Sequence, residues 1–570
     1  MATKLEKPKV IDIYFADVEK YQAQFGPKTA VYIQVGDFYE IYGAEFPDGK
    51  RIGVLEQISD SLNLTVSQKK VCIGLSSDAK VYMAGFPIYM LDKFVNILVD
   101  ECGWTVVVIK QDEQCAGTTR SVEGIYSPGT NVRTTQDSNT IVMVVIEKVK
   151  SRINHKTSTL YIGMSSLDSI TGQTTVYETF SYDQNTVLSY DEIQKFISAK
   201  NPREVLIETM DPSLSESDMV SALNLSTRQY RFNFVKYGRL EKLIETQTKF
   251  FEKIYAHKLK VSIIDTLGLQ YKEYGRLSLM LLLSYILDHS NIMLNQIRVP
   301  EVWEMNTQLI LANNSLEQLN IIDNRFNSRE PSLIKILDMT STVIGRRGFR
   351  NRLLNPIRDQ EVLNRRYQEI KDAMDFDEEG VPSKQFYQQV ENGLKNIRDL
   401  ERLHRRIAMG TMTPIELSGL ILSYKAIIEL YNLVHKRETS PLKGFLPKTE
   451  AWNEFIGILN KLENTFDLEK TNFNTLEKID RNFFKTGCNK VLDEQQARID
   501  HSMNIFYELC KWIDEQVNER EKEFPKRLKN IARFDYGEQF DHHIYLTRNR
   551  FNILSERIEE KVRSGEKELE

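Results

Sequence analysis

Hydrophobic periodicity changes character near residue 240, and no single layer architecture accommodates both sides of the change. Before it, short apolar runs, TAVYIQV (29–35), WTVVVIK (104–110), IVMVVIEKV (141–149) and EVLIE (204–208), alternate with amphipathic stretches such as Tyr89–Leu98 and DEIQKFISA (191–199). Alternating strand and helix signals specify α/β layers. After it, Arg276–His289 and Ile415–His435 are apolar at i, i+3, i+4 and i+7, the stripe of helices packed on helices. The chain therefore reads as multidomain, α/β first and mainly α afterwards.

Length supports more than one core, since 570 residues exceed the roughly 100–200 typical of a domain. An apolar fraction of 41% against 27% charged is enough to fill those cores and excludes a disordered chain. Turn chemistry at Ser127-Pro128-Gly129-Thr130 and the polar TTQDSN (134–139) mark a first boundary. The expected domains are 1–134, 135–240, 241–487 and 488–570. Within the helical part, Thr413-Pro414-Ile415-Glu416 predicts a helix start with a capping hydroxyl, a proline whose missing N–H costs nothing, and a reciprocal glutamate. Leu417, Leu420, Ile421, Tyr424, Ile427, Ile428 and Tyr431 then form its expected buried stripe. Alternating aromatic and polar residues at 531–551 predict a β-hairpin at the tip of long helices, and the closing ERIEEKVRSGEKELE reads as a helix that starts and is cut off.

No apolar run approaches the roughly 18–20 residues of a membrane helix, and the N-terminus lacks a signal peptide's apolar region. Five scattered cysteines without a C-x-x-C pair indicate neither a disulfide framework nor a zinc ribbon, so an intracellular, reducing compartment is expected, with no membrane partner. A net charge of −5 argues against a generic polyanion binder and leaves room for local basic surfaces.

Gly36-Asp37-Phe38-Tyr39-Glu40 supports two readings. Functionally, an aromatic wedge (Phe38) inserted between base steps and a nearby carboxylate (Glu40) that accepts a base N–H would sense a weakened step in a duplex. Structurally, Asp37 would cap a helix with Glu40 as capping-box partner, and the first turn would present free N–H groups to a phosphate. Local sequence alone favours capping, because capping is the commoner arrangement. Phosphate-contact candidates are Lys69 and Lys70, together with Lys526, Arg527, Lys529, Arg533, Arg548 and Arg550 around the expected hairpin. Arg346, Arg347, Arg350 and Arg352 form a further basic cluster. Each of these clusters is more often an ordinary solvated face.

Asp168, Glu208 and Asp211 raise an RNase H-like metal nuclease as an alternative, since such chemistry needs carboxylates converging on two metal ions. Exposed turn carboxylates are the simpler account of them, and scattered histidines make a metal site improbable. The pattern G-x-x-x-x-G-K-[ST] is absent, because the only Gly-Lys pair, Gly49-Lys50, is followed by Arg51. P-loop binding of ATP is therefore not expected within these residues.

The order of segments carries more than any one of them. GDFYE (36–40), LNLTVSQKK (62–70), MAGFP (83–87) and YSPGT (126–130), followed by SLIKILDMTSTVIGRRGFRNRLLNPIRD (332–359) and LKNIRDLERLHRRIAMGTMTP (394–414), resemble the successive signatures of the MutS mismatch repair family. The resemblance spans nearly the whole chain and reverses the preference for capping at Phe38 and Glu40. It implies a mixed α/β mismatch-binding domain, an RNase H-like connector without nuclease function, a long-helix core and lever, and a small β clamp at the lever tip. It implies that Phe38 wedges at a mismatch and Glu40 contacts the mispaired base. The partner would be double-stranded DNA with mismatches or small loops, gripped by a homodimer of the full-length protein. ATP and magnesium would belong to an ATPase domain absent from this chain. Divergent spacers and the long approach to GDFYE are similar to the branch found in giant viruses and coral mitochondria. A helical interaction scaffold without DNA binding is a third reading.

Overall fold

A computed structural model describes residues 10–564, excepting 70–78, 112–118, 133–137, 151–157, 183–185, 226–228, 235–242, 256–261, 304–308, 310–314, 323–330, 375–383, 438–440, 472–481, 521–530 and 538–540. The chain divides into two compact units, Met1–Leu446 and Pro447–Glu570.

The first unit opens with helix α1 (Val10–Phe25), whose Ile11, Tyr14, Val18, Tyr21 and Phe25 form one buried stripe at helical spacing. Strands β1 (Thr29–Val35), β2 (Phe38–Glu45), β3 (Arg51–Ile52), helix α2 (Leu55–Leu62), β4 (Ser67–Lys69), β5 (Lys80–Pro87), α3 (Leu91–Asn96), β6 (Thr105–Gln111) and β7 (Arg120–Tyr126) follow. The sheet order is β4-β5-β2-β1-β6-β7, with β3 on β2. Helices cover both faces: Tyr14 of α1 meets Tyr42 edge-on at 5.1 Å, while on the other face Phe86 packs between Tyr32 and Phe94 of α3 at 5.1 and 4.5 Å. Strands sandwiched in this way lose the apolar-polar alternation of half-buried ones, which is why TAVYIQV and TVVVIK read as continuous apolar runs.

A second sheet contains β8 (Thr140–Lys150), β9 (Ser158–Asp168) and β10 (Thr174–Tyr182) as an antiparallel meander. After α4 (Thr186–Lys200), β11 (Glu204–Thr209) returns beside β8 and parallel to it; after α5 (Glu216–Ala222), β12 (Gln229–Phe234) adds parallel to β11. The order is β12-β11-β8-β9-β10, closed by the short β13 (Glu301–Val302). Ile193, Phe196 and Ile197 of α4 fill one face. The other is filled by α6 (Ile244–Tyr255), α7 (Ile263–Thr266) and α8 (Glu273–His289), whose Phe251, Ile263, Leu279 and Leu283 pack with Met143, Val145 and Leu206. The core of this sheet thus runs well past residue 240. Helical periodicity changes there, but the first helices beyond it cover the sheet, because strands apolar on both sides need a second layer.

Among the described residues the unit continues with the α-helices α9 (Ser315–Gln318), α10 (Leu333–Leu337), α11 (Val343–Leu354), α12 (Gln360–Met374), α13 (Lys384–Lys395), α14 (Leu400–Met409) and α15 (Pro414–His435). Helix α15 starts where its sequence predicts, with the Thr413 N–H donating to Glu416 Oε2 at 2.9 Å. Leu420, Ile421 and Tyr424 of its expected stripe are buried, but Gly419, Ser423 and Ala426 share that burial, because small side chains let a neighbouring segment approach closely. Ser423 Oγ accepts from the Arg398 N–H at 3.0 Å. By length and composition α15 is apolar enough to cross a bilayer, contrary to the expectation of no such run. Its Tyr424 hydroxyl is instead bonded to His404 of α14 at 2.6 Å, and its exposed face carries Lys425 and Glu429, as in a helix that packs on others.

The second unit comprises α16 (Thr449–Thr465), α17 (Lys490–Arg520), the hairpin β14 (Arg533–Gly537) and β15 (Asp541–Tyr545), and α18 (Arg548–Ser564). This compact unit begins at Pro447. Cys510, Ile513 and Val517 of α17 pack with Ile531, Ala532 and Leu554, and Phe534 lies 4.9 Å from Phe506. The expected hairpin is present, its apolar face turned toward these helices. Among the described residues Cys102, Cys488 and Cys510 are free thiols.

Candidate nucleic-acid interface

Gly36 adopts φ +60°, and Val35 pairs with Phe38. A two-residue loop with glycine first is the connection whose twist matches antiparallel strands. The loop is held by the Ile88 N–H on the Asp37 carbonyl at 3.0 Å. GDFYE is therefore a hairpin turn entering a strand, and the helix-capping reading of Asp37 and Glu40 is corrected: no helix starts there, because Tyr39 and Ile41 are drawn into one sheet face with period two. The phosphate site expected at that helix start goes with it.

Period two also puts Phe38, Glu40 and Tyr42 on the opposite face of β2. Tyr42 lies under α1 and is fully buried, whereas Phe38, at the strand's first residue, is 49% exposed. Glu40 lies between them, buried, with its Oε2 accepting from the Tyr42 hydroxyl and from Lys69 Nζ at 2.8 Å. Lys69 reaches across β5 from β4, with Nζ 3.2 Å from the Tyr42 hydroxyl and 5.0 Å from the centre of its ring. Burial first, then the bond and charge of Glu40, push the Tyr42 hydroxyl well above its usual pKa. Opposite Glu40 on β5 stands Gly85 of MAGFP; a Cβ there would lie 2.8 Å from the Tyr39 carbonyl oxygen and 3.5 Å from Glu40 Cγ. The glycine keeps open the space in which the carboxylate lies.

The remaining candidates separate. Lys70, Lys526, Arg527 and Lys529 lie outside the described residues. Arg533 is exposed at the start of β14 opposite Tyr545, itself exposed, while Phe534 and Ile544 face the core. Arg548 is exposed at the first residue of α18, and Arg550, its third residue, is half-buried. Arg347 departs from the reading of its cluster as an ordinary solvated face. Its guanidinium makes a bidentate pair with Asp399 at 2.6 and 2.7 Å and also bonds Glu401 at 2.7 Å. Burial alone would lower its pKa, but those carboxylates outweigh it and raise it. Arg346 pairs with Asp338 at 3.2 Å, and Arg350 and Arg352 remain exposed. The segments 332–359 and 394–414 thus lock each other through Arg347.

The second sheet's carboxylates do not converge. Asp168 faces Thr140 on β8, whereas Glu208 on β11 faces Val145, five residues along, or roughly 16 Å at strand rise. A two-metal site requires carboxylates around ions about 4 Å apart. Asp168 accepts from the backbone N–H groups of Asn139 and Ile170 and from the Thr171 hydroxyl, all at 3.0–3.1 Å, which makes it the organiser of a turn. Among the described residues no group of three or more His, Cys, Asp or Glu is arranged to hold a metal ion. Sequence reasoning passed over Glu204, which is buried and accepts from Ser127 Oγ (2.6 Å), the Gly129 N–H (3.1 Å) and the Tyr285 hydroxyl (2.8 Å). Those bonds dock YSPGT onto the second sheet. Tyr42 was also passed over; its position two residues after Glu40 on one strand face was the available signal.

Comparison with known proteins agrees with this layout. Residues 18–135 match the family model for MutS domain I, and residues 314–536 match that for MutS domain III. The chain belongs to the MutS family. It is 27% identical, over 98% of its length, to a putative DNA mismatch repair protein mutS homolog of Acanthamoeba polyphaga mimivirus, of which it covers 50%. It is 23% identical over 97% of its length to the DNA mismatch repair protein MutS of Caldanaerobacter subterraneus, covering 56% of it. A mitochondrial DNA mismatch repair protein mutS homolog of Sarcophyton glaucum is 24% identical over 76% of this chain, which covers 47% of that protein. The chain spans about half the length of the curated relatives it matches.

Proposed function

We propose that this chain binds duplex DNA without reading sequence and prefers mismatches and small loops, with Phe38 as the wedge and Glu40 as the acceptor for a mispaired base. The observation that carries the reading is the pairing of an exposed aromatic with a held carboxylate two residues apart on one strand face, about 7 Å along the strand. Two base steps span a similar distance, so a ring inserted at one step leaves the carboxylate beside the neighbouring base. Unstacking costs a few kcal/mol and least where a base is mispaired, while a stacked aromatic returns about 1–3 kcal/mol. The two nearly cancel, and the weakened step decides the sign.

Lys70 and the basic residues around the hairpin of the second unit, Lys526, Arg527, Lys529, Arg533, Arg548 and Arg550, are assigned to the phosphate backbone, whereas Lys69, whose ammonium pairs with Glu40 at 2.8 Å, is withdrawn from that set. Binding should accordingly weaken steeply with salt. The four expected domains take the family roles of mismatch binding, connection, core with lever, and clamp. The meander β8-β9-β10 followed by parallel β11 and β12 supports an RNase H-like connector, one whose separated carboxylates serve structure. Without a P-loop in these residues, ATP and magnesium would act through an ATPase domain carried elsewhere, and dimerisation would go with it. Anisotropy titration of matched and mismatched duplexes, repeated with Phe38→Ala, tests the reading. The substitution should remove the preference and leave weak, salt-sensitive binding; equal affinities in the unmodified chain would refute it.

A further inference from the structure

The Glu40 carboxylate is held unevenly. Both donors that reach it, the Tyr42 hydroxyl and Lys69 Nζ, go to Oε2, and among the described residues none reaches Oε1. The donors also bind each other, since Lys69 Nζ contacts the Tyr42 hydroxyl at 3.2 Å. All three side chains stand on the face of β2, β5 and β4 that carries Phe38 at its open end. We propose that Tyr42 and Lys69 are positioning residues that fix Glu40 with Oε1 presented, beside the Phe38 ring, as the acceptor for a base N–H. The inference rests on the assignment of Phe38 and Glu40 above and adds two residues to it.

Three physical effects support the arrangement. A free glutamate samples many rotamers, and restricting it before binding removes an ordering cost from the bound state. A bare carboxylate would be repelled by the phosphates, and the Lys69 ammonium compensates its charge at the distance of an ion pair. A donor on Oε2 leaves lone pairs on Oε1, so the carboxylate accepts from the base without releasing its internal partners. Gly85 completes the device by leaving unfilled the space opposite Glu40.

The test titrates the full chain with a matched duplex, the same duplex carrying a G·T mispair, and one in which that thymine is replaced by difluorotoluene, which keeps the ring's shape and lacks its N–H. In the unmodified chain the mispair should bind about tenfold more tightly than the difluorotoluene duplex, the value of one hydrogen bond to a charged acceptor. Tyr42→Phe and Lys69→Met should each reduce that ratio severalfold while matched-duplex binding and thermal unfolding stay close to those of the unmodified chain. Lys69→Arg should restore it. A structural role would change unfolding and all three affinities together and leave the ratio intact. A ratio unchanged in Tyr42→Phe and Lys69→Met, with mismatch preference present in the unmodified chain, overturns the positioning role alone. Absence of mismatch preference in the unmodified chain overturns the underlying assignment as well.

Discussion

The two sheets of the first unit treat their carboxylates differently. In the first, Glu40 is held by a lysine and a tyrosine with one oxygen left over, at the edge of helix cover and next to an exposed ring. In the second, Glu204 is spent on three donors, Asp168 closes a turn, and Glu208 is half-buried, with its buried Oε2 unpartnered among the described residues and its pKa pushed up by desolvation to about 7. In the second sheet Glu204 and Asp168 hold the fold and Glu208 weakens it once ionised, whereas the carboxylate of the first sheet is the one proposed to meet a ligand. Substitutions in the second sheet should therefore move stability and leave mismatch preference alone, and the reverse should hold for the first.

The largest effect is expected at Glu204. Glu204→Ala strands the Ser127 hydroxyl, the Gly129 N–H and the Tyr285 hydroxyl in a buried site, and urea unfolding should show a loss on the order of 3 kcal/mol or more. A loss below 1 kcal/mol would mean that YSPGT is not anchored there.

Glu208 comes next and acts through pH. Its folded pKa of about 7 lies above the ordinary 4.5, so between those values the folded state binds the extra proton and stability falls as pH rises. The full penalty, about 3 kcal/mol by linkage, is reached above pH 7 and is absent below 4.5. Buried His289, lowered to about 4 from 6.5, has the opposite slope across nearly the same range, losing stability as pH falls. Glu208→Gln should raise the urea midpoint at pH 8 and expose the slope of His289 between pH 4 and 6.5. An unchanged pH profile would show that Glu208 is solvated.

Phe38→Ala should cost about 1–3 kcal/mol of mismatch binding and almost nothing in unfolding, since half of the ring is already in water. A large loss of stability would make it a packing residue and dissolve the contrast. The smallest effect belongs to Asp168: Asp168→Ala should lose about 1–2 kcal/mol of stability through its turn, with DNA affinity unchanged. Cleavage of DNA with magnesium in the unmodified chain, abolished by this change, would instead reinstate the nuclease reading.

Legibility in the sequence followed the range of the interaction. Strands at 29–35, 105–111 and 204–209, the start of α15 and the terminal hairpin are set by periodicity, capping and turn residues close in sequence, and all were readable. Phe38 and Glu40 could be singled out only by a resemblance built on ordered motifs. Their local sequence favours a helix cap, although a capping box and an alternating strand can share the same four residues. Tertiary structure decided between them: β1 and β5 supply strand partners on both sides of β2, and those ladder bonds outweigh a single cap.

Sequence by itself determined that this chain belongs with a particular succession of motifs, that strands and helices both occur before residue 240, and that these residues contain no P-loop pattern. Only the tertiary structure decided which charges are available. Arg347 and Glu204 look in sequence like any surface arginine and strand glutamate, yet each is consumed by partners 52 to 81 residues away. Lys69, from a strand two places across the sheet, turns Glu40 from a possible helix cap into a carboxylate with one free oxygen. Partner choice over such separations depends on which strands lie side by side, and residue-by-residue propensity carries no record of that.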